Sequence, residues 1–197
     1  MQPVTMTQTA SSFDFVPQAT QDREILEQLG FLPGVKEFLM VRQVHALEHA
    51  TVWVLTEFDR RGELLGGMST EQGFYLYGSV NPQTLQQAVY SALNRITSGE
   101  WNLAVHPRCG TNLSVALLLT AGFTLGVNWL MPKDPLGQLL GVGVAAMSAS
   151  QLAPDLGPIA QRYVTTAIPF NLEIVRIEES QDMWGKPAHF VRVRWQD

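Results

Sequence analysis

The sequence has little of several features that mark common protein classes. A single cysteine among 197 residues, Cys109, excludes an internal disulfide bond. Lysine and arginine number 13 against 18 acidic residues and form no basic stripe, so the net charge of −5 argues against a nucleic-acid-binding protein. Residues 1–20 have neither the basic segment nor the apolar core of a secretory signal, and their polar composition predicts a disordered N-terminus.

Charged residues are also absent from two long stretches, 112–131 and 136–154, which the sequence PKDP separates. Twenty helical residues at about 1.5 Å each span roughly 30 Å, the hydrocarbon thickness of a bilayer. We therefore predict a two-helix membrane hairpin over residues 112–154, with a buried hairpin in a soluble protein as the alternative. Each stretch carries a pair of glycines at the spacing that lets two membrane helices pack closely: Gly122/Gly126 and Gly137/Gly141.

The distribution of basic residues predicts an orientation for this hairpin. Seven of them lie at or before Arg108, five lie at or after Arg162, and only Lys133 lies between. Because basic residues concentrate on the cytoplasmic side of membrane proteins, both flanking regions are expected to face the cytoplasm. The sequence thus predicts an integral membrane protein whose first partner is the lipid bilayer and whose termini are cytoplasmic.

The remaining patterns predict an α+β fold that is mainly helical. Apolar residues at helical spacing predict helices over 21–30 and 35–58 and a third that begins near residue 82. A β-rich run predicts a strand over 73–80, and alternating apolar and charged residues predict a β-hairpin within 171–197. The predicted organisation has four parts: a disordered N-terminus (1–20), a cytoplasmic helix and strand region (21–111), the membrane hairpin (112–154) and a C-terminal segment with the β-hairpin (155–197).

Three ionisable side chains stand within five residues in the sequence HALEH, inside the predicted helix 35–58. His45 and His49 are four residues apart, so their side chains project from one helical face with Cβ atoms about 5–6 Å apart. That separation lets two imidazoles share one metal ion, and Glu48 flanks them. The order H-x-x-E-H is that of the inverzincins, in which both histidines bind zinc and the glutamate is the general base.

A second short motif, HPRCGTN, begins at His106 and strengthens the metal hypothesis. Cys109 lies just before the first predicted membrane helix, where the positive end of the helix dipole favours the thiolate. Thr111 or Asn112 is expected to cap that helix. Imidazole and thiolate ligands suit zinc. The sequence therefore predicts a zinc site with these candidate ligands: His45, His49, His106 and Cys109.

Two forms of this site remain open from the sequence. Four protein ligands would close a structural tetrahedron. If Cys109 is not bound, three histidines leave one position for a water molecule that Glu48 can deprotonate.

Simpler roles also remain open for these residues. A pair of histidines on a helix need not bind a metal. Glu48 is either catalytic, or it orients an imidazole, or it pairs with Arg42 or Arg108. Arg108 either binds an anionic substrate or lipid headgroup, pairs with an acid, or marks the membrane boundary.

The segments VHALEHATVWVL, GGMSTEQGFYLYGSV and GEWNLAVHPRCGTNLSVALLLTAGFTLG together resemble a family of small membrane-associated proteins of unknown function, found largely in cyanobacteria. The resemblance covers about residues 35–165. More distantly, the paired motifs resemble a bacterial membrane family with GAEHK and HPRCGTS motifs. The resemblance implies a plasma or thylakoid membrane location and a single site formed by both motifs, but no particular activity. The downstream glutamate that completes an inverzincin site has no recognisable counterpart, which argues against a protease of that family.

These observations lead to two main functional hypotheses. In the first, the chain is a membrane metalloprotein, and in its catalytic form it is a zinc-dependent hydrolase with Glu48 as the base. In the second, it is a non-enzymatic assembly or scaffold factor, and a structural metal or a His/Glu/Cys polar network joins its elements. The expected partner is then a membrane protein complex, photosynthetic in a cyanobacterium, or a second copy of the chain. A third hypothesis is that a histidine binds a tetrapyrrole.

Overall fold

The structure, a computed structural model, describes residues 16–58, 66–130 and 133–196. It confirms an α+β fold that is mainly helical. The prediction of disorder over 1–20 falls mostly on residues outside the described ranges. The elements in chain order are α1 Gln21–Leu29, α2 Val35–Phe58, β1 Gly66–Thr70, β2 Gly73–Tyr77, α3 Pro82–Thr97, α4 Gly110–Leu130, α5 Pro135–Ala160, β3 Leu172–Gln181 and β4 Pro187–Trp195.

Helix α2 lies at the centre of the fold. Its 24 residues contain no glycine or proline, and buried side chains occur on most of its faces. It packs against α3 and against one face of the sheet. Helix α3 presents a conventional apolar stripe to it and begins at a well-formed cap, where Asn81 Oδ1 accepts from two backbone N–H groups and Pro82 is the first helical residue.

The four strands form one antiparallel sheet in the order β1-β2-β4-β3. Strands β3 and β4 are the predicted C-terminal hairpin. The sequence prediction missed β1, because its residues GGMST include a single β-branched side chain, Thr70, and no aromatic one. This strand forms because a two-residue turn, Glu71 and Gln72, folds it back onto β2.

Helices α4 and α5 are long and apolar enough to cross a membrane. No side chain of α4 is buried, and large apolar residues of both helices face outward. The second helix runs further than the predicted boundary at 154, through Pro154 and Pro158, and continues as a π-helical turn, Gln161–Thr165. Each proline removes one backbone donor, yet both lie inside the α-helix, and the wider π-helical turn begins after them.

The small residues at the α4–α5 contact agree only in part with those expected, because Gly141 is buried but the Gly122/Gly126 pair is not. A Cβ atom added at Gly122 or Gly126 would have no neighbour within 4 Å, so close helix packing does not require glycine at these two positions. The buried small residues lie on α5, which packs against α4, at intervals of four or eight: Gly141, Ala145, Ala149 and Gly157.

Gly157 supplies a test of this contact. A Cβ there would collide with the Asn112 side-chain oxygen, which accepts from Gln161 Nε2 at 2.6 Å. We expect Gly157→Ala to reduce the free energy of unfolding by about 1–3 kcal/mol, measured by denaturant titration in detergent. Gly143→Ala is the matched control, because a Cβ there meets open space. Equal stability of the two variants would contradict the packing described here.

Candidate metal centre

His45 and His49 are fixed by hydrogen bonds to two backbone carbonyls at the ends of other elements. His45 Nδ1 lies 3.0 Å from the carbonyl oxygen of Thr165, the last residue of the π-helical turn. His49 Nδ1 lies 2.7 Å from the carbonyl oxygen of Ala104, which ends a short 3₁₀ turn after α3. Because a carbonyl only accepts, each Nδ1 carries the proton. In the neutral rings, Nε2 therefore keeps its lone pair for a metal ion.

Cys109 completes a compact group of three ligand atoms with these histidines. Its Sγ lies 3.3 Å from His45 Nε2, and the ligand atoms of the three residues all lie within 4.8 Å of one another. The group is largely shielded from solvent, because His49 and Cys109 are buried. Two imidazole nitrogens and one thiolate form a donor set that suits zinc, and the spacing allows one ion to contact all three.

Cys109 also occupies the capping position of α4. The backbone N–H of Thr111 donates to Sγ at 3.3 Å, so the sulfur, and not Thr111 or Asn112, caps the helix. Burial raises the pKa of the Cys109 thiol, but interactions with His49 and Thr111 outweigh it and leave that pKa below its usual value. The lowered pKa favours the thiolate, which is the form that binds metals.

His106 lies beside this group but outside it. Its ring stands 5.7 Å from the His49 ring and edge-on to Trp53 at 5.0 Å, measured between centroids. Its Nδ1 accepts from the Arg108 backbone N–H at 3.3 Å, which places the ring proton on Nε2. Burial, together with the charges of His49 and Arg108, lowers the pKa of His106 to about 4. The ring is therefore neutral at pH 7 and closes one side of the centre.

Glu48 is a buried carboxylate held against β1. Ser69 Oγ donates to its Oε2 at 2.6 Å, and a Cβ at Gly67 would collide with the same carboxylate. Burial raises the pKa of Glu48 above its usual value, although the Ser69 hydrogen bond and the charge of His45 act in the opposite direction. Glu48 thus bonds to Ser69 rather than to Arg42, whose guanidinium donates to the carbonyls of Tyr163 and Thr166.

The three ligands and Glu48 line one cleft of about 540 Å³ between α2, β1 and the base of the α4–α5 hairpin. Exposed Arg108 stands at its edge, and none of the ion pairs among the described residues involves it. The remaining rim is largely apolar, with Phe38, Val41 and Val164. The arrangement offers a candidate metal centre that opens into the cleft, with a carboxylate beside it.

A family described as Domain of unknown function (DUF6391) matches residues 40–177, a range that contains the whole centre. The chain belongs to the DUF6391 family. It is also 57% identical over 191 residues to an uncharacterized protein from Picosynechococcus sp., across 93% of each chain. No solved structure matches the chain.

The matched range of the DUF6391 family includes elements that the sequence prediction missed. The carbonyls of Thr165 and Ala104 carry no side-chain signal, so their role in orienting the histidines is not visible in the sequence. The sequence GGMS, just before the predicted strand, did hold a signal. Two adjacent glycines indicate a close backbone approach, and Gly67 and Ser69 contact Glu48.

Metal content distinguishes this three-ligand centre of the DUF6391 chain from the four-ligand site of the sequence prediction. We expect purified protein to bind one zinc ion, and His45→Ala and Cys109→Ser each to abolish stoichiometric binding, measured by elemental mass spectrometry. His106→Ala is expected to retain the metal, because its Nδ1 is occupied by Arg108. His189→Ala, on β4, is the control. Loss of the metal from His106→Ala would instead support the four-ligand site that the sequence predicts.

The contact between Glu48 and β1 can be tested with neighbouring glycines. Gly67→Ala is expected to destabilise the protein by about 1–3 kcal/mol, because the new Cβ collides with the Glu48 carboxylate. At Gly66, the nearest atom to a Cβ is Tyr77 Cδ2 at 3.9 Å, so Gly66→Ala is the matched control. Thermal unfolding measures the stability of both variants. Adding Glu48→Ala to Gly67→Ala should recover part of the lost stability, and a double variant without that recovery would contradict the contact between Gly67 and Glu48.

Proposed function

We propose that this protein is a membrane-bound metal-dependent hydrolase whose centre is formed by His45, His49 and Cys109. One observation carries the proposal: three ligand atoms converge in an open cleft that a buried carboxylate, Glu48, also lines. Catalytic zinc sites commonly have three protein ligands and one open position, whereas structural sites have four.

The placement of the centre supports attachment to a bilayer. Cys109 directly precedes α4, and Thr165, the partner of His45, ends the extension of α5. Large apolar side chains along both helices face outward, and contiguous exposed apolar surface of this kind needs a membrane or protein partner. The hairpin would cross the membrane, with the metal centre at its base on the cytoplasmic side, as the basic residues predict.

The residues of the cleft have distinct chemical roles in a hydrolysis reaction. A bound metal ion would lower the pKa of water and polarise a carbonyl group. Glu48 would take one proton as water adds to the scissile carbonyl carbon and return it to the leaving group as the bond to that carbon breaks. His106 and Trp53 would close the rear of the centre, and Ser69 would hold the Glu48 carboxylate in position.

One observation favours the alternative of a non-enzymatic assembly or scaffold protein. The hydrogen bonds of His45 and His49 already join α2 to the two ends that approach it, at Thr165 and Ala104. A metal ion bound here would add α4 through Cys109, and so lock the water-facing elements to the hairpin. In this case the Glu48 carboxylate would have a purely structural role.

Glu48→Gln separates the two functions. The amide keeps the size of the side chain but cannot act as a base, so we expect metal content to remain and hydrolysis to fall about 100- to 10,000-fold. The measurement is a screen of ester and peptide libraries with zinc-loaded protein in lipid nanodiscs, analysed by mass spectrometry.

Two comparisons complete this experiment. Glu57→Gln, on the same helix, removes an exposed carboxylate that pairs with half-buried Arg95 and should leave hydrolysis unchanged. Wild-type protein that binds zinc tightly but cleaves no substrate, with Glu48→Gln indistinguishable from it, would overturn the hydrolase proposal and favour the scaffold.

A further inference from the structure

We propose that the substrate of this centre is an extended peptide segment that pairs with the free edge of β1. This inference rests on the proposed hydrolase function and names its substrate class. It follows from the position of β1 in the sheet, from the composition of that strand and from its contact with Glu48.

Strand β1 is an edge strand with one side open to the cleft. It pairs with β2 on one side, and no strand within the described ranges, 16–58, 66–130 and 133–196, pairs with the other. In an antiparallel pair, every second residue directs its N–H and C=O away from its partner. Counting from the pair Thr70 and Gly73 that closes the turn, these outward-directed residues are Ser69 and Gly67.

The composition of β1 suits an edge that receives a partner. Proteins usually protect edge strands with charged residues or proline, which prevent pairing with other chains. The five residues of β1, GGMST, contain neither, and Gly66 and Gly67 are exposed. A strand edge without charge or proline is therefore able to accept a further strand.

Glu48 connects this edge to the metal centre. Gly66, Gly67 and Ser69 line the same cleft as the three metal ligands. Ser69 bonds to Glu48 through its side chain, and Gly67 packs on the same carboxylate, so the outward backbone groups of these two residues flank the proposed base. A peptide strand added here would run past Glu48 and place its carbonyl groups near the metal.

A peptide fits these groups better than a lipid does. Edge recognition uses alternating N–H donors and C=O acceptors on the ligand, and a peptide has both, whereas an acyl chain has neither. The apolar rim at Phe38 and Val164 would then contact apolar side chains of a segment at the membrane surface.

Three hydroxamates test the proposal by binding rather than by turnover, since a hydroxamate group chelates zinc. Acetohydroxamic acid probes the metal alone, a hydroxamate on tetra-alanine adds a peptide backbone, and palmitoyl hydroxamate adds a lipid chain. Binding to zinc-loaded full-length protein in nanodiscs is measured by calorimetry. We expect tetra-alanine hydroxamate to bind at least about tenfold more tightly than acetohydroxamic acid, because its backbone hydrogen bonds add to the metal contact.

N-methylation of each amide in turn supplies the specific readout. Methyl groups on amides that face β1 should weaken binding about tenfold, and those on the intervening amides should have little effect, so the loss alternates along the peptide. This alternation is the signature of strand pairing, and a peptide held only by its side chains or by the metal would not show it. The test needs no substitution in β1 and therefore no variant that fails to fold.

The possible outcomes separate this inference from the proposed function. Peptide pairing with β1 is overturned if tetra-alanine hydroxamate binds no more tightly than acetohydroxamic acid, or if the effect of N-methylation does not alternate along the peptide. Either result leaves the proposed metal centre unaffected. Tighter binding of palmitoyl hydroxamate than of tetra-alanine would assign the cleft to lipids. A peptide advantage that disappears as protein concentration rises would assign the edge to a second copy of the chain. No binding of any hydroxamate to zinc-loaded protein would overturn the open metal centre itself.

Discussion

Two hydrogen bonds from histidine Nδ1 atoms to backbone carbonyls hold the candidate centre together. The carbonyls of Thr165 and Ala104 terminate helical turns, where the chain has acceptors without partners inside the helix. By donating to them, His45 and His49 satisfy buried backbone groups and at the same time direct Nε2 toward Cys109. The same contacts therefore define helix ends, imidazole tautomers and the position of a metal ion.

The rest of the architecture follows from this constraint. Because α2 carries both histidines, the base of the α4–α5 hairpin and the 3₁₀ turn must approach the same stretch of one helix. The wide π-helical turn after Pro158 brings the Thr165 carbonyl there, and the Asn112–Gln161 bond joins the two ends of the hairpin. On the opposite side of the cleft, the absence of a side chain at Gly67 lets β1 approach Glu48. The cleft is thus the meeting point of a candidate membrane hairpin, a core helix and a sheet edge.

Much of the local structure was predictable because its signals are local. The long uninterrupted run of α2, the apolar stretches of α4 and α5 and the alternation in β3 and β4 each indicate their element directly. Strand β1 and the extension of α5 past Pro154 were not predictable in this way. The first forms through its pairing with β2, and the second through packing at the base of the hairpin, and both overrode weak local preferences.

For the site, the sequence predicts the candidate ligands through local spacing: His45 and His49 lie four residues apart on one face of a helix, and Cys109 precedes a helix start. Which of these candidates lie together depends on the tertiary fold. The Arg108 backbone N–H occupies His106 Nδ1 and leaves that ring at the side, while Ser69 rather than an arginine holds Glu48. These outcomes depend on backbone groups distant in the chain, and hydrogen bonds to such groups leave no pattern in the sequence.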